Sequence, residues 1–341
     1  MRIIEDASIS AALLARFPGY KEPPLTPASA KRIQEIFGEP LTVTQAVRRI
    51  LDAVRTEGDT AIQRYAEAID NVIVSETEID RDHWKDAMLS LPSDLLDALQ
   101  VSAQRIKEYH ETAMPTDWHD QDAGYGQRIV PIECVGLYVP GGTAEYPATV
   151  LMSAIPAKVA GVTKVILCTP SPSPVVMAAA EIAGVDRLFK IGGAQAIGAM
   201  AFGTGTVPKV DKICGPGNIF VSVAKREVYG HVDIDGIYGP TETIIIADDS
   251  SNPVLIAADL LAQAEHDEMA SPILITTKRA VAEDVSAEID RQLDSLERQT
   301  VALTAVERQG FAAVVDDIPQ AIELANTFAP EHLCLLIVLQ D

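Results

Sequence analysis

Residues 135–170, VGLYVPGGTAEYPATVLMSAIPAKVAGVTKVILCTP, decide the fold class. A short apolar run ends in a glycine turn, a segment of helical length follows, and a second β-branched run, KVILCTP, completes the unit. Strand, helix and strand in this order are typical of a parallel sheet with a covering helix. Further runs of the first kind follow along the chain, among them RLFKI, KVDKIC, ETIIIAD and SPILITT. The sequence therefore predicts an α/β fold with parallel sheets.

Upstream of this stretch the chain has the pattern of amphipathic helices. In the segment TVTQAVRRILDAVRTEG the apolar residues keep helical spacing, Thr42 or Thr44 can cap the start, and Gly58 can end the helix. The later segment PTDWHDQDAGYGQR has the proline, glycine and aspartate content of a connection.

The composition favours a small-molecule ligand. The 341 residues include 27 basic and 49 acidic side chains, a net charge of -22, and no run of Lys or Arg interrupts the acidity. Binding to nucleic acid or to an anionic membrane surface is therefore disfavoured. The first residues, MRIIEDASIS, lack the pattern of a signal peptide, and no apolar stretch is long enough to cross a bilayer. We expect a cytoplasmic location.

The four cysteines predict free thiols. No CxxC pair occurs among Cys134, Cys168, Cys214 and Cys334, and three of them lie in short apolar runs. Buried free thiols are favoured over disulfides or a metal cluster.

The chain lacks the usual dinucleotide fingerprint GxGxxG with an acidic residue about twenty positions later. The partial match GTGTVP (203–208) follows a helical stretch and is interpreted as a surface turn. Three other glycine turns each follow a predicted strand and precede a predicted helix. They are VPGGTAEYP (139–147), KIGGAQAIG (190–198) and ICGPGNIFV (213–221).

Turns of this kind expose backbone N–H groups at helix N-termini, which suits phosphates and other polar ligand groups. Tight packing alone could explain any one of them. Three at equivalent ends of neighbouring parallel strands would line one crevice. In that geometry Tyr138 could stack against a ring, while Gln195 and Asn218 could hydrogen-bond ribose or carboxamide groups.

The segment LLAQAEHDEMA (260–270) combines an apolar helix face with two polar side chains. Leu260, Leu261 and Met269 suit a buried face, while Gln263 and His266 are three residues apart and would be neighbours on a helix. An amide oxygen and an imidazole nitrogen suit zinc, but a catalytic zinc site needs at least one further protein ligand. A hydrogen-bonded histidine with no metal is the alternative.

A second polar cluster is NTFAPEHLCLLI (326–337). Pro330 breaks the preceding helix, so Glu331 and His332 can lie on a loop at the start of a strand. A glutamate beside a histidine supplies two general bases of different pKa, and a solvated loop pair is the alternative. In GPTET (239–243), Thr241 adds a hydroxyl that could orient a polar substrate.

Six long motifs, in the same order along the chain, resemble the histidinol dehydrogenase family. They are YVPGG (138–142), LMSAIPAKVAGV (151–162), GGAQAIGAMAFGT (192–204), KICGPGN (212–218), LLAQAEHD (260–267) and FAPEHL (328–333). The resemblance covers essentially the whole chain. It implies a homodimer that uses zinc and NAD to oxidise the amino alcohol histidinol to the amino acid through a bound aldehyde.

Residue roles follow from the resemblance position by position. It implies that Gln263 and His266 bind zinc and, with Thr241 and His332, the substrate. Glu331 and His332 become the acid/base residues. The residues that contact NAD would be Tyr138, Gln195 and Asn218.

The resemblance also implies two incomplete dinucleotide-fold (Rossmann-like) domains. The predicted division is an N-terminal helical segment (1–26), an NAD domain (134–240) and a discontinuous substrate and zinc domain (27–133 with 241–341).

Two departures from the family bear on activity. Family members continue beyond the APEHL segment, and the continuation supplies an aspartate and, from the partner subunit, a histidine that complete the zinc shell. The given sequence stops at Asp341. Thr241 stands where a typical member has serine, and one added methyl group changes discrimination between substrates by about 1 to 3 kcal/mol.

Three alternatives stay open on the sequence. Cys214 could attack an aldehyde as a thiolate, although no base lies near it in sequence. The chain could keep the chemistry and act on another zinc-chelating amino or sulfonated alcohol. It could also be a degenerate homologue that binds without catalysis.

Overall fold

A computed structural model describes residues 1–15, 25–70, 76–141, 145–170 and 172–338. The strands are β1 (Arg2–Ile4), β2 (Glu78–Ile79), β3 (Trp118–Asp120), β4 (Tyr125–Gln127), β5 (Cys134–Tyr138), β6 (Lys164–Cys168), β7 (Arg187–Phe189), β8 (Lys212–Cys214), β9 (Asp233–Ile234), β10 (Glu242–Ala247), β11 (Ser271–Thr276), β12 (Phe311–Val314) and β13 (His332–Leu336). The helices are α1 (Ala7–Leu14), α2 (Pro27–Phe37), α3 (Val43–Glu57), α4 (Asp59–Asp70), α5 (Arg81–Ser90), α6 (Ser93–Thr112), α7 (Pro147–Val159), α8 (Pro174–Ile182), α9 (Gly193–Phe202), α10 (Ile219–Val228), α11 (Pro253–Ala264), α12 (Arg279–Leu293), α13 (Gln299–Arg308) and α14 (Ile318–Phe328). None of these described helices is long and apolar enough to span a bilayer.

Contacts divide the chain into a central unit (Lys21–Tyr238) and a C-terminal unit (Met1–Tyr20 with Gly239–Asp341). The central sheet has the order β2-β7-β6-β5-β8-β9, and its pairs are parallel except β2 with β7. Numbered by appearance, β5 to β9 lie in the order 3-2-1-4-5, as do the first five strands of a doubly wound sheet. The order reverses between β5 and β8.

The C-terminal unit repeats this winding in a smaller sheet. Its order is β1-β12-β11-β10-β13, and every pair is parallel. Strands β10 to β13 therefore lie in the order 3-2-1-4. Both sheets confirm the predicted α/β class with parallel pairing.

The N-terminal segment is helical only in part. Helix α1 agrees with the prediction, but it follows β1, a strand that the sequence analysis missed. Strand β1 pairs in parallel with β12 and so forms one edge of the C-terminal sheet. A strand of three residues is too short to show a periodic pattern, which explains the miss.

The compact units do not follow the predicted domain boundaries. Helix α3 packs on α9 and α10, α5 packs on α8, and α6 packs on α7, so residues 27–133 belong to the central unit rather than with 241–341. The reason is that these helices bury their apolar faces against the helices that cover the central sheet. The functional assignment of each domain stays a prediction.

Helix α3 begins and ends where its sequence predicts. The Thr42 hydroxyl accepts from the Gln45 N–H at 3.3 Å, and the Gln45 Oε1 accepts from the Thr42 N–H at 2.9 Å. This capping box satisfies two N–H groups at the helix start. At the other end, the Gly58 N–H donates to the Val54 carbonyl at 3.0 Å, with φ of +59° that favours glycine.

Strand β10 lies at the centre of the C-terminal core. Ile245 and Ala247 pack in the cluster that includes residues of α11, α12 and α13, whereas Ile244 and Ile246 pack in the cluster that includes residues of α1 and α14. All four are fully buried. Burial on both faces explains why the strand is a continuous apolar run in the sequence.

We expect Ile245→Ala to lower the free energy of unfolding of the C-terminal unit by about 3 kcal/mol, because it leaves a cavity in a closely packed core. Hydrogen exchange of peptides from β10 to β12, measured by mass spectrometry, should report this loss. Leu255→Ala is the control, since Leu255 is 64% exposed. Equal acceleration of exchange in both variants would contradict the described core.

Candidate functional site

The glycine turns begin at the carboxyl edge of the central sheet. They follow β5, β7 and β8 and precede α7, α9 and α10, as predicted, and residues 142–144 of the first turn lie outside the described residues. Strands β5 and β8 are direct neighbours at the point where the strand order reverses, while β6 separates β5 from β7. The partial match GTGTVP is a turn after α9, closed by the Thr204 N–H donating to the Val207 carbonyl at 2.8 Å.

Tyr138 connects two of these turns. It is the last residue of β5, it is 3% exposed, and its hydroxyl accepts from the Gly193 N–H at 3.1 Å. Its carbonyl oxygen lies so close to Gly215 that a Cβ on that glycine would stand 2.0 Å away. The ring is thus buried in the core instead of open to a ligand ring, and contact with a cofactor stays a prediction.

Gln195 and Asn218 lie at the same edge in different environments. Gln195 is fully buried in α9, and its Oε1 would be 2.7 Å from a Cβ on Gly193. Asn218 is exposed and caps α10, because its Oδ1 accepts from the N–H groups of Phe220 and Val221 at 3.0 and 3.2 Å. The Asn218 side chain is therefore already oriented at the helix start.

Two residues that sequence reasoning did not single out, Lys225 and Asp235, hold the third glycine turn. The Lys225 side chain is 2% exposed, and its Nζ donates to the Gly215 carbonyl at 3.0 Å and to Asp235 Oδ1. Asp235 Oδ2 in turn accepts from the Gly215 N–H at 2.7 Å. In the sequence, the only hint of this role is that Lys225 directly follows the mostly apolar residues 219–224, IFVSVA.

The second group of predicted site residues lies at the amino edge of the C-terminal sheet. Thr241 immediately precedes β10, and its carbonyl accepts from the Ser271 N–H at 2.8 Å, next to the start of β11. His332 begins β13, in register with Thr243 of β10. Gln263 lies in the last turn of α11, which follows β10 and runs back toward this edge. The parallel strands thus bring these residues to one edge.

His266 is not on a helix, so the predicted pairing with Gln263 on one helical strip is wrong. Helix α11 ends at Ala264, and the His266 N–H donates to the Gln263 carbonyl at 3.3 Å within a turn. The chain turns here because Asp267 Oδ1 accepts from the Met269 N–H at 2.8 Å before β11 begins. His266 and Met269 are exposed, so Met269 does not occupy the predicted buried face.

Glu331 and His332 form a half-exposed pair after an unusual helix end. The His332 Nε2 and Glu331 Oε2 atoms are 3.8 Å apart, and the side chains are 51% and 49% exposed. Ala329 ends α14 in the left-handed region, with φ of +50°, the one such non-glycine residue in the described ranges. This conformation, followed by Pro330, turns the chain from α14 into β13.

Thr243 carries a buried hydroxyl beside His332. The residue is 2% exposed, and its Oγ1 has no hydrogen-bond partner among the described residues. Residues in register on paired strands project to the same face of the sheet. The hydroxyl therefore lies on the His332 side of the sheet, which sequence reasoning overlooked because Thr243 reads as part of a strand.

Gln263 and His266 are candidate metal donors among the described residues. No group of three His, Cys, Asp or Glu side chains that could hold a metal ion occurs among them. Gln263 is half-buried and His266 is exposed, so both side chains are accessible. An oxygen and a nitrogen donor suit zinc, and further ligands would have to complete the site.

The cysteines are free, as predicted, but only Cys168 is fully buried. Burial raises the pKa of the Cys214 thiol to about 11, and the nearby Asp235 carboxylate contributes to this shift. Since the thiolate is the nucleophile, Cys214 is disfavoured as the group that attacks an aldehyde.

The family model for histidinol dehydrogenase matches residues 38–341. Histidinol dehydrogenase from Dehalococcoides mccartyi (strain CBDB1) is 47% identical over 300 residues, which cover 86% of this chain and 69% of that protein. The chain belongs to the histidinol dehydrogenase family. Histidinol dehydrogenase from Streptococcus mutans is 46% identical over 309 residues, covering 89% of this chain and 72% of that protein.

The fold agrees with a solved histidinol dehydrogenase. The crystal structure of the enzyme from Elizabethkingia anophelis matches with a TM-score of 0.86 and 32% identity, covering 98% of this chain and 75% of that one. Family membership confirms the resemblance stated above and the prediction that the chain is a dehydrogenase. The roles of individual residues stay predictions.

Ala329 should tolerate glycine but not valine. A left-handed L-residue costs about 1 to 2 kcal/mol, and a β-branched side chain costs more. We expect Ala329→Gly to keep the urea midpoint of unfolding or raise it slightly, and Ala329→Val to lower it. Equal stability of the two variants would contradict the left-handed conformation.

Cys214 should react slowly with iodoacetamide at pH 8. With a pKa of about 11, roughly one thiol in a thousand is ionised there, and the rate should rise about tenfold per pH unit up to the pKa. Peptide mass spectrometry would follow labelling, with the urea-unfolded protein as the fast control. Rapid labelling of the folded protein, with loss of dehydrogenase activity in Cys214→Ala, would instead support a nucleophilic cysteine.

Proposed function

We propose that the chain oxidises L-histidinol to L-histidine through histidinaldehyde, with NAD and zinc, in the last two steps of histidine biosynthesis. The observation that carries the proposal is the amino edge of the C-terminal sheet. In this chain of the histidinol dehydrogenase family, five predicted site residues lie at that edge: Thr241, Gln263, His266, Glu331 and His332.

The central unit is proposed to bind NAD at the carboxyl edge of its sheet. Bound NAD would supply the hydride acceptor for each of the two oxidations. Support comes from the glycine turns next to the reversal between β5 and β8, where doubly wound sheets hold dinucleotides. At this edge the glycines allow close approach of phosphates, and the exposed Asn218 can donate its amide hydrogens.

The C-terminal unit is proposed to hold zinc through Gln263 and His266. Bound zinc would supply positive charge that orients and polarises the alcohol. The two donors fit that metal, and the resemblance implies that the set is completed by an aspartate from the family's continuation and by a histidine from the partner subunit. Thr241 would place its hydroxyl against the polar substrate.

Proton transfer is assigned to the half-exposed pair at the start of β13. The imidazole of His332 takes the proton from the substrate hydroxyl in the first oxidation. The Glu331 carboxylate then takes a proton from the water that adds to the aldehyde, which gives the hydrate that is oxidised in the second step. Two separate bases suit this sequence, since their oxygen and nitrogen atoms are 3.8 Å apart, beyond direct hydrogen-bond distance.

The case for a different substrate comes from Thr241, which stands where a typical family member has serine. Its side chain is half-buried, and its carbonyl accepts from the Ser271 N–H, so the backbone that carries the extra methyl group, compared with serine, is held in place. Another zinc-chelating amino or sulfonated alcohol is therefore the second candidate substrate.

The resemblance further supports a homodimer in the cytoplasm, and the net charge of -22 disfavours nucleic acid and anionic membranes as partners.

The proposal predicts two NADH formed per histidine when the zinc-loaded protein is given histidinol and NAD. His332→Asn and Glu331→Gln should each lower kcat about 100-fold or more, because each removes one proton acceptor. The Glu331 variant should form the first NADH and stall before the second. NADH absorbance and histidine analysis would measure both steps.

His83→Asn is the matched control, since His83 is an exposed histidine of α5 and should leave kcat unchanged. A panel of amino and sulfonated alcohols, compared by kcat/KM, separates the substrate candidates. No NADH from any of these alcohols, together with no bound zinc, would favour a non-catalytic homologue.

A further inference from the structure

Lys225 and Asp235 form an ion pair, in which the lysine is buried and the aspartate is partly exposed, that proton transfer and metal binding do not explain. Lys225 and Asp235 belong to the central unit, whereas Thr241, Glu331 and His332 belong to the C-terminal unit. Lys225 is 2% exposed on the side chain, and Asp235 is 20% exposed. Burying two charges costs several kcal/mol each unless the surrounding hydrogen bonds are well formed.

Hydrogen bonds from both members of this pair hold one residue of the turn, Gly215. Lys225 Nζ donates to the Gly215 carbonyl at 3.0 Å, and Asp235 Oδ2 accepts from the Gly215 N–H at 2.7 Å. Both polar groups of Gly215 are thus held by side chains from α10 and from the segment after β9. In some proteins such ion pairs specify one geometry more than they add stability.

The backbone conformation and packing of Gly215 require a glycine at this position. Its φ is +120°, which an L-residue rarely adopts, and a Cβ there would lie 2.0 Å from the Tyr138 carbonyl oxygen. The peptide therefore lies against the end of β5, at the reversal of the strand order. Beyond it, Pro216 and Asn218 are the exposed residues of the turn.

We infer that Lys225 and Asp235 are positioning residues that fix the 215–218 turn, and with it Asn218, for binding of the dinucleotide. This inference rests on the proposed function, in which that edge binds NAD. The pair acts through main-chain geometry and does not contact the reacting atoms.

The test compares Lys225→Met with Lys212→Met. The Lys212 Nζ and Asp233 Oδ2 atoms are 2.7 Å apart, in a more exposed pair of the same sheet that does not hold the turn. In the holoenzyme we expect Lys225→Met to raise KM for NAD and Kd for NADH about tenfold, the effect of losing one charged hydrogen bond. KM for histidinol should stay within about twofold, and Lys212→Met should change none of these constants.

Asp235→Asn is the second variant and carries the test if Lys225→Met does not fold. It keeps the shape of the side chain and should raise Kd for NADH with a near-normal melting temperature. The double variant Lys225→Met/Asp235→Asn removes both charges, keeps an amide oxygen for the Gly215 N–H, and should recover part of the affinity.

Folded variants that bind NADH as tightly as the unchanged protein would overturn the inference while leaving the proposed function intact. An equal rise in KM for histidinol and NAD would also overturn it, since it would indicate a general loss of structure. If the unchanged protein binds no NADH, the cofactor assignment fails, and this inference fails with it.

Discussion

Parallel pairing of β10 with β11 on one side and β13 on the other determines where the candidate catalytic groups lie. Thr243 is in register with His332, and Glu242 is in register with Ser271. Because the three strands run in the same direction, the residues that precede them collect at a single edge. A shift of one residue in the β10–β13 register would turn His332 to the opposite face of the sheet.

The candidate residues of the two units lie at opposite edges of similar sheets. In the central unit the glycine turns lie at the carboxyl edge, where helix N-termini present backbone N–H groups. In the C-terminal unit the candidate residues lie at the amino edge, where α11 ends and the side chains of Gln263 and His332 lie. Backbone donors suit phosphates, whereas amide and imidazole side chains suit metal binding and proton transfer. The proposed division of labour follows from this difference.

Buried polar groups mark the places where main-chain geometry is specified. The Tyr138 hydroxyl holds Gly193, and the Lys225–Asp235 pair holds both polar groups of Gly215. These contacts join residues that are between 10 and 55 positions apart. The glycine turns are therefore shaped by side chains outside them as well as by their own flexibility.

The sequence by itself determined the features that depend on near neighbours. Alternating strands and helices predicted the α/β class, Thr42 and Gly58 bounded α3, and the glycine turns fell between strands and helices as expected. Six motifs were enough to indicate the family. Caps and periodic apolar faces are satisfied within a few residues, so they can be read directly from the sequence.

Only the tertiary structure decided what depends on distant partners. The core buries the Tyr138 ring, and residues 27–133 pack in the central unit. The order of strands and the convergence of Thr241 with His332 likewise require contacts between segments some 90 residues apart. Such contacts are chosen by which apolar faces fit together, and a linear pattern of residues does not contain that choice.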